Sequence, residues 1–451
     1  MKHTQVNHKK AALLGLQHLL AMYSGAIAVP LLIGTALKFN STQMTYLVSI
    51  DIFMCGLATA LQLLRNRYFG IGLPVVLGCA IQAVAPLQMI GKKFTIGTMY
   101  GSIIVAGVFV FLVAGYFSKI KKLFPPVVTG SLITVIGLSL IPVSIQNLGG
   151  GNSTAKNFGD PKNLLTGFIT VAIILALQVW GKGFIKSIAV LVGLIAGTLI
   201  ASTLDMVSLT PVAQASWFHL PQPFYFGMPQ FEWSSSLTMI IIALVSMVES
   251  TGVFFAIGDL LHKDITSDDL KKGYRAEGLA QILGGVFNTF PYTTFSQNVG
   301  LLELSGITTK RPIYWASGFL MLMGLLPKFG ALVTIIPDSV LGGAMLVMFT
   351  MIAVQGMRML KRVDFEDTRN ILIVAISIGL GLGVTVYPQV FQALPETIQL
   401  FLGNGIVVAS LSATILNLLF KGKSGLEEQP IPAAPEKIEV QHYLKIFLKT
   451  T

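Results

Sequence analysis

The sequence predicts an all-α polytopic membrane protein with fourteen transmembrane segments. Three observations carry that expectation. The 451 residues are 53% hydrophobic and only 11% charged, whereas a soluble chain carries about a quarter charged residues. Apolar runs approaching the roughly 20 residues that span a hydrocarbon layer follow one another with short gaps from residue 11 to residue 420. The 31 Lys and Arg residues gather at the ends of those runs. A chain this apolar cannot cover a water-facing surface, so the lipid bilayer is its expected solvent. Its 45 glycines suit close approach of helices in lipid.

The expected segments cover 11–34, 44–64, 71–90, 97–117, 123–144, 163–180, 184–203, 235–258, 273–290, 291–305, 312–329, 331–357, 370–391 and 397–420. The third and tenth are weak as helices, because they contain the extended-looking runs Leu73–Gly78 and Pro291–Ser296. The ninth carries Arg275, Glu277 and Asn288 and is poor as a full span. With the N-terminus in the cytoplasm, 25 of the 31 basic residues fall on the cytoplasmic side. The six outside are Lys38, Lys92, Lys93, Lys156, Lys162 and Lys328. That asymmetry is what the positive-inside rule requires. It accounts for the net charge of +11 without a nucleic-acid partner. Residues 1–10 and the tail 421–451, with Pro430, Pro432 and Pro435, are expected in the cytoplasm, and no cleavable leader is visible.

Residues 11–203 and 235–420 read as two repeats of seven segments, separated by an external loop at 204–234 rich in Pro and aromatics. Pro125–Gly130 and Pro337–Gly342 each place Pro and Gly at the same spacing near the start of an apolar helix, and the two irregular segments are seven apart. An odd number of segments per repeat inverts the second. Paired broken segments in inverted repeats mark a transporter, with the site where the breaks meet. Chance recurrence of Pro and Gly is the plain alternative.

Ionisable groups inside apolar spans cost several kcal/mol, so each is a functional candidate. His18, Asp51, Glu249, Glu277, Glu303 and Asp338 qualify. Glu249, within Ser246–Gly252, has no Lys or Arg within a turn or two. Such an acid is protonated or holds a polar ligand; otherwise it bonds a neighbouring helix. Gln297-Asn298 follows the extended run, where a carboxamide that both donates and accepts suits the edge of a planar heterocycle. Amides are also ordinary glue between membrane helices. His18 reads first as a structural histidine and second as a proton relay. Glu277 either pairs with Arg275 or serves coupling. Asp51 and Asp338 read as solvated or capping groups near span ends, Asp338 as an N-cap. Cys55 and Cys79 lie in apolar stretches, so neither a disulfide nor a metal site is expected. No nucleophile elbow, metal-ligand spacing or phosphate loop is present, which argues against an enzyme, an ATP-driven pump or a cofactor.

The run Ser296-Gln297-Asn298-Val299-Gly300 through Ser305-Gly306, with Lys310-Arg311 after it, resembles the signature of the nucleobase–ascorbate transporter family, also called the nucleobase–cation symporter-2 family. Ser305 stands where that signature has Thr. Gln17-His18, Glu249 and Glu277 match the family's Gln-His pair and its acids in the eighth and ninth segments, the latter commonly Asp. Leu47–Gly56, Phe69–Cys79 and Val245–Val253 look like its xanthine-carrying branch.

The resemblance implies fourteen segments in two inverted repeats, a core and a gate domain, and short antiparallel strands in segments 3 and 10. It implies a base held by Glu249 and Gln297, with backbone contacts around Ser296 and around Cys79 and Ala80. His18, Asn298 and Glu277 would support coupling. The implied activity is proton symport of a purine base, first xanthine, by a homodimer in a bacterial plasma membrane. Uric acid, hypoxanthine or guanine, and uracil are the alternative substrates, and Na⁺ the alternative driving ion. A facilitative channel or membrane receptor is the reading from another class. Val253 departs from the family, where relatives place a polar group one turn after the acid. Gln297 goes with xanthine and urate carriers, whereas Glu is seen there in uracil carriers.

Overall fold

In the computed structural model the described residues are 7–120, 125–306 and 309–421. The expected cytoplasmic segments at 1–6 and 422–451 lie outside them. The chain is mostly helical and forms one short sheet. Helices α1 (His8–Ala36) and α2 (Ser41–Leu63) lead to strand β1 (Leu77–Cys79), a 3-10 turn (Ile81–Ala83) and α3 (Val84–Lys93). Next come α4 (Ile96–Ile120), α5 (Pro126–Ser139), α6 (Ile141–Leu148), α7 (Pro161–Trp180), α8 (Phe184–Ser187) and α9 (Ala189–Ser202). A short α10 (Thr210–Gln214) interrupts the loop before α11 (Trp233–Leu261) and α12 (Ser267–Val286). Strand β2 (Tyr292–Thr294) precedes α13 (Gln297–Ser305), α14 (Arg311–Gly324), α15 (Pro327–Thr334) and α16 (Asp338–Leu360). The last elements are α17 (Thr368–Val386), a 3-10 turn (Pro388–Phe391), α18 (Glu396–Leu402) and α19 (Gly405–Lys421).

Among the described residues, eight helices are long and apolar enough to span a membrane, and nine if the bent pair α14–α15 is one span. This is a multi-pass membrane protein. The expected count of fourteen is not reached on length and composition, for identifiable reasons. The third and tenth segments divide into a strand and a half-helix. The ninth, α12, starts with a charged turn holding Asp268 and Asp269. The seventh and fourteenth correspond to the shorter apolar helices α9 and α19. The expected break between segments 11 and 12 at residue 330 is also displaced. The chain bends by 79° between α14 and α15, where Pro327 at the first turn of α15 cannot donate to the preceding helix, and α16 starts only at Asp338. Asp338 is not the N-cap of that helix: Pro337 takes the cap position, and Asp338 faces the positive end of the helix from its first turn.

Small residues set the closest crossings. α5 lies on α16, where a Cβ on Gly137 would come within 2.3 Å of the Ala353 backbone nitrogen. α4 lies on α12 through Gly107 and Gly278, and α2 on α14 through Gly56 and Gly324. In the last crossing the Ser317 hydroxyl donates to the Gly56 carbonyl at 2.8 Å. In lipid, where apolar surface drives little association, such backbone-to-backbone contact is what holds helices together. The loop 204–232 is laced over one end of the bundle. Tyr225 stacks on Tyr46 with centroids 3.7 Å apart, the Tyr46 hydroxyl donates to the Gln222 carbonyl, and the Gln230 amide donates to the Gly97 carbonyl. The loop ends at Glu232, which caps α11. Burial alone would raise the Glu232 carboxyl, but hydrogen bonds from Ser234 and Ser235 outweigh it and hold the group at about 2.

β1 and β2 are antiparallel, with Leu77 opposite Thr294, Gly78 opposite Thr293 and Cys79 opposite Tyr292. Bonds from the Ala80 amide to the Pro291 carbonyl (2.8 Å) and from the Phe295 amide to the Val76 carbonyl (2.9 Å) extend the ladder at both ends. The outer edges are closed by side chains. Thr59 of α2 takes the Leu77 amide at 3.0 Å, and Ser250 of α11 takes the Thr294 amide at 3.3 Å. Gly78 is required here because the Phe295 ring lies where a side chain would be, 1.9 Å from a Cβ.

Replacing Gly137 by Val should destabilise the α5–α16 crossing by about 1–3 kcal/mol, the usual cost of overpacking. A lowered midpoint in thermal unfolding of the detergent-solubilised protein checks this, and an unchanged midpoint would mean the crossing can open without cost.

Candidate functional site

Ser246, Glu249 and Ser250 share one face of α11, at helical spacings of three and four. Opposite them lie the start of α3 and the strand pair. The Gln82 carboxamide, three residues beyond β1, donates to Glu249 Oε2 at 3.0 Å and to Ser246 Oγ at 2.7 Å. Ser250 shares a hydroxyl bond of 3.1 Å with Thr293 of β2. Glu277 of α12 is almost fully buried beside Ser250 and within Coulombic reach of Glu249. Its Oε1 has no hydrogen-bond partner. The next turn of α11 is tied to α12 by the hydroxyls of Thr251 and Tyr274, 2.5 Å apart.

The ion pairs sit away from this cluster. Arg65 and Lys263 meet Asp269 at 2.8 and 3.7 Å, and Lys272 meets Asp268 at 2.7 Å. None of these cations reaches Glu249 or Glu277. Arg275 does not pair with Glu277; its guanidinium lies over the Phe111 ring at 5.4 Å. Glu249 is thus held by the Gln82 amide, and neither it nor Glu277 has an ion-pair partner among the described residues.

Ser296 caps α13 and Gln297 opens it, and both are exposed. Gly300 on the next turn and Gly252, one turn beyond Glu249, are exposed too, and a Cβ at either would meet nothing within 4 Å. Both helices therefore border open space at these positions. Asn298 points the other way, into the protein. Its Nδ2 lies 3.1 Å from His18 Nδ1 and donates to the His18 carbonyl at 3.1 Å. His18 is buried in α1. The structure thus brings together the sequence candidates Glu249 and Glu277 on one side of the strand pair, and His18 and Asn298 on another. Cys79 and Ala80 are buried in and after β1; the Cys79 thiol turns away from Glu249, and the Ala80 amide is taken by Pro291. Glu303 is exposed.

Asp51 overturns its expected solvated role. It has 0% exposure, because its side chain is enclosed by Cys79 and Tyr292 of the two strands. Ligand atoms of Asp51, Cys55 and Cys79 lie within 4.8 Å of one another, close enough for a metal ion, and this is the grouping of that kind among the described residues. Both cysteines are free thiols. Gln82, Ser246, Ser250 and Thr293 were not singled out from the sequence. Gln82 had a signal: it follows β1 at the same distance, three residues, as Gln297 follows β2. A separate cavity of ≈ 270 Å³ lies under the 204–232 loop, lined by Thr45, Tyr46, Ser49, His219 and Tyr225 among others, with no acid. It lacks both the broken segments and the carboxyls, so the chemistry lies elsewhere.

Residues 9–390 match a family model described as a permease family. The chain belongs to that permease family. It is 51% identical over 433 residues to the xanthine permease of Bacillus subtilis, covering 96% of this chain and 99% of that one. It is 52% identical over 419 residues to the uric acid permease PucK of the same organism, covering 93% and 97%. Among solved structures, the transmembrane domain of a cyanobacterial bicarbonate transporter, BicA, superposes with a TM-score of 0.63 at 17% identity, over 84% of this chain and 97% of that domain. That likeness shows the fold. The permease is accordingly a transporter and not an enzyme.

In this permease, Asn298→Ala removes the bonds that join α13 to α1. It should lower the thermal midpoint by an amount corresponding to about 1–3 kcal/mol, the cost of leaving buried partners unmet. A midpoint equal to that of the wild type would show that His18 finds another partner.

Proposed function

We propose that this permease imports xanthine across a bacterial plasma membrane by proton symport. The observation that carries the reading is the bond from Gln82, three residues beyond β1, to Glu249 Oε2 at 3.0 Å, with an exposed Gln297 at the matching position three residues beyond β2. Xanthine's ring edges mix donors and acceptors. Carboxamides complement both, and a protonated carboxyl donates through its O–H and accepts through its C=O. Backbone groups around Ser296 and around Cys79 and Ala80 add contacts, and Glu277, His18 and Asn298 support coupling. Glu249 is the proton carrier, since no cation among the described residues pairs with it.

Mirrored packing supports two repeats of seven in a core and a gate. α2 lies on α14 as α12 lies on α4, and α7 lies on α9 as α17 lies on α19. The proposed topology puts both termini in the cytoplasm, and the proposed assembly is a homodimer. Alternating access then moves one group against the other around the strands. An assumed potential of 150 mV supplies about 3.5 kcal/mol per charge, enough to concentrate the base on the order of 300-fold. Uric acid is the second reading, favoured by the 52% identity to PucK.

Uptake of labelled xanthine into proteoliposomes, with and without an inward proton gradient, tests this. Gradient-driven accumulation is expected, with uric acid as the strongest competitor and uracil as a poor one. Uptake that merely equilibrates, or that needs Na⁺, would discard the proton mechanism. Glu249→Gln should abolish uphill uptake, and accumulation at wild-type levels would remove Glu249 as carrier. Gln297→Glu should weaken xanthine uptake by roughly tenfold or more in apparent affinity, since one good hydrogen bond corresponds to that much. An unchanged affinity would take Gln297 out of the site.

A further inference from the structure

The cluster around Asp51 is not used by the transport reading above, yet it touches both strands. Asp51 Oδ2 accepts from the Cys79 thiol at 2.7 Å, and Oδ1 lies 3.2 Å from the Tyr292 hydroxyl, which shares its proton between Asp51 and Thr289 Oγ1 at 2.7 Å. Cys79 and Tyr292 are opposite one another in the ladder. Opposed residues of a strand pair project to the same face, and their neighbours to the other. One face, through Cys79 and Tyr292, therefore meets α2. The other, through Thr293, meets Ser250 beside Glu249. Asp51 bridges the two strands from behind, across the sheet from the site.

Asp51 belongs to a polar stripe on α2. Cys55 and Thr59 follow at intervals of four, and Gln62 one turn later. Cys55 Sγ lies 4.0 Å from the same Asp51 oxygen. Thr59 closes the edge of β1 at Leu77. Gln62 accepts from the Ile71 amide at 3.2 Å and donates to the Gly273 carbonyl at 3.2 Å. The whole extended run 71–79 is thereby docked along one helix face. Asp51, Cys55, Cys79 and Tyr292 are all at most 2% exposed, and none of the ion-paired cations described above comes near Asp51. A carboxyl in such a place is stabilised only by the donors that reach it. Removing one of them leaves its partner buried and unmet.

We infer that Asp51 is a positioning residue for substrate binding: by holding Cys79 to Tyr292 it sets the spacing of the strand ends from which Gln82 and Gln297 reach the base. This rests on the nucleobase-binding reading above. The strands are three residues long, too short to hold a register by their own ladder bonds. A fixed outside clip therefore governs the separation of the two glutamines, which both follow three residues after a strand.

The test uses full-length protein carrying Asp51→Asn, Cys79→Ser, Cys79→Ala or Tyr292→Phe, with monodispersity checked in detergent. Two readouts are taken: hydrogen–deuterium exchange of peptides covering 73–80 and 290–296 without substrate, and KM and Vmax for xanthine uptake. Asp51→Asn, Cys79→Ala and Tyr292→Phe should speed exchange in both strands and raise KM on the order of tenfold with a smaller change in Vmax. Cys79→Ser keeps a donor and should hold exchange in both strands near the wild-type rate. The double variant Asp51→Asn/Cys79→Ala should be no worse than the more impaired of its two single variants. Unchanged exchange in Asp51→Asn overturns the clip. Faster exchange with a fallen Vmax and a fixed KM, in an assay where Gln297→Glu does raise KM, reduces Asp51 to a purely structural residue and also overturns the inference. Because exchange is read without substrate, a wild-type protein that did not carry xanthine would fail the transport reading while the exchange result still decides the clip.

Discussion

A two-stranded ladder inside a membrane protein has open edges, and lipid offers nothing to satisfy them. Much of this structure answers that one constraint. Thr59 and Ser250 close the two outer edges, and the Ala80–Pro291 and Phe295–Val76 bonds close the ends. Phe295 covers Gly78, whose missing side chain makes room for the ring. The strands can therefore exist only where α1, α2, α11 and α12 surround them. Their presence in turn creates two half-helices that begin in the interior. Helix beginnings carry free amide groups and positive potential, and each of these two has a glutamine at the break.

The same constraint sorts the charges. Paired ions stay at the helix ends, where Asp269 is shared between Arg65 and Lys263. Glu249, Glu277 and Asp51 remain inside, held by hydroxyl, thiol and amide donors. A carboxyl locked in an ion pair would have little reason to change its protonation during a transport cycle. One held only by neutral donors can do so. The neutral environment of Glu249 is thus a chemical requirement of the proposed coupling, and a lysine nearby would defeat it.

Much of this was legible in the sequence. The two extended runs in apolar surroundings announced the broken segments, and the isolation of Glu249 from any basic residue marked it out. His18 and Asn298 were flagged separately, 280 positions apart, and meet in the structure. What escaped depended on long-range partners. Asp51 looked like a residue near a span end, because nothing local distinguishes a solvated acid from one enclosed by groups 28 and 241 positions away. The polar stripe at 51, 55, 59 and 62 did have helical spacing, but two of its members are cysteine and threonine, which pass as apolar filler in a membrane helix. The break between α14 and α15 carried its own signal in Pro327, outweighed by the continuous hydrophobicity around it.

The distribution of close packing bears on how such a protein could move. Close backbone approaches between helices, at Gly342–Leu148, Gly405–Gly381, Gly137–Ala353, Gly56–Ser317 and Gly107–Gly278, each lie inside one of two groups of helices. One is α1–α4 with α11–α15, and the other is α5–α9 with α16–α19. Between the groups, the principal meetings are of α1 with α9 and α16, α11 with α18 and α19, and α13 with α8. Interlocked glycine crossings resist sliding, because backbone is already against backbone. Meetings without such glycine crossings can be exchanged at less cost. The proposed site lies within the first group, on α11, on the start of α13 and on the turn after β1. A rocking motion would therefore carry Glu249, Gln82 and Gln297 as one rigid unit past the second group, keeping the base's partners together while access to them changes. A site divided between the two groups would have to break its own hydrogen bonds at every turnover.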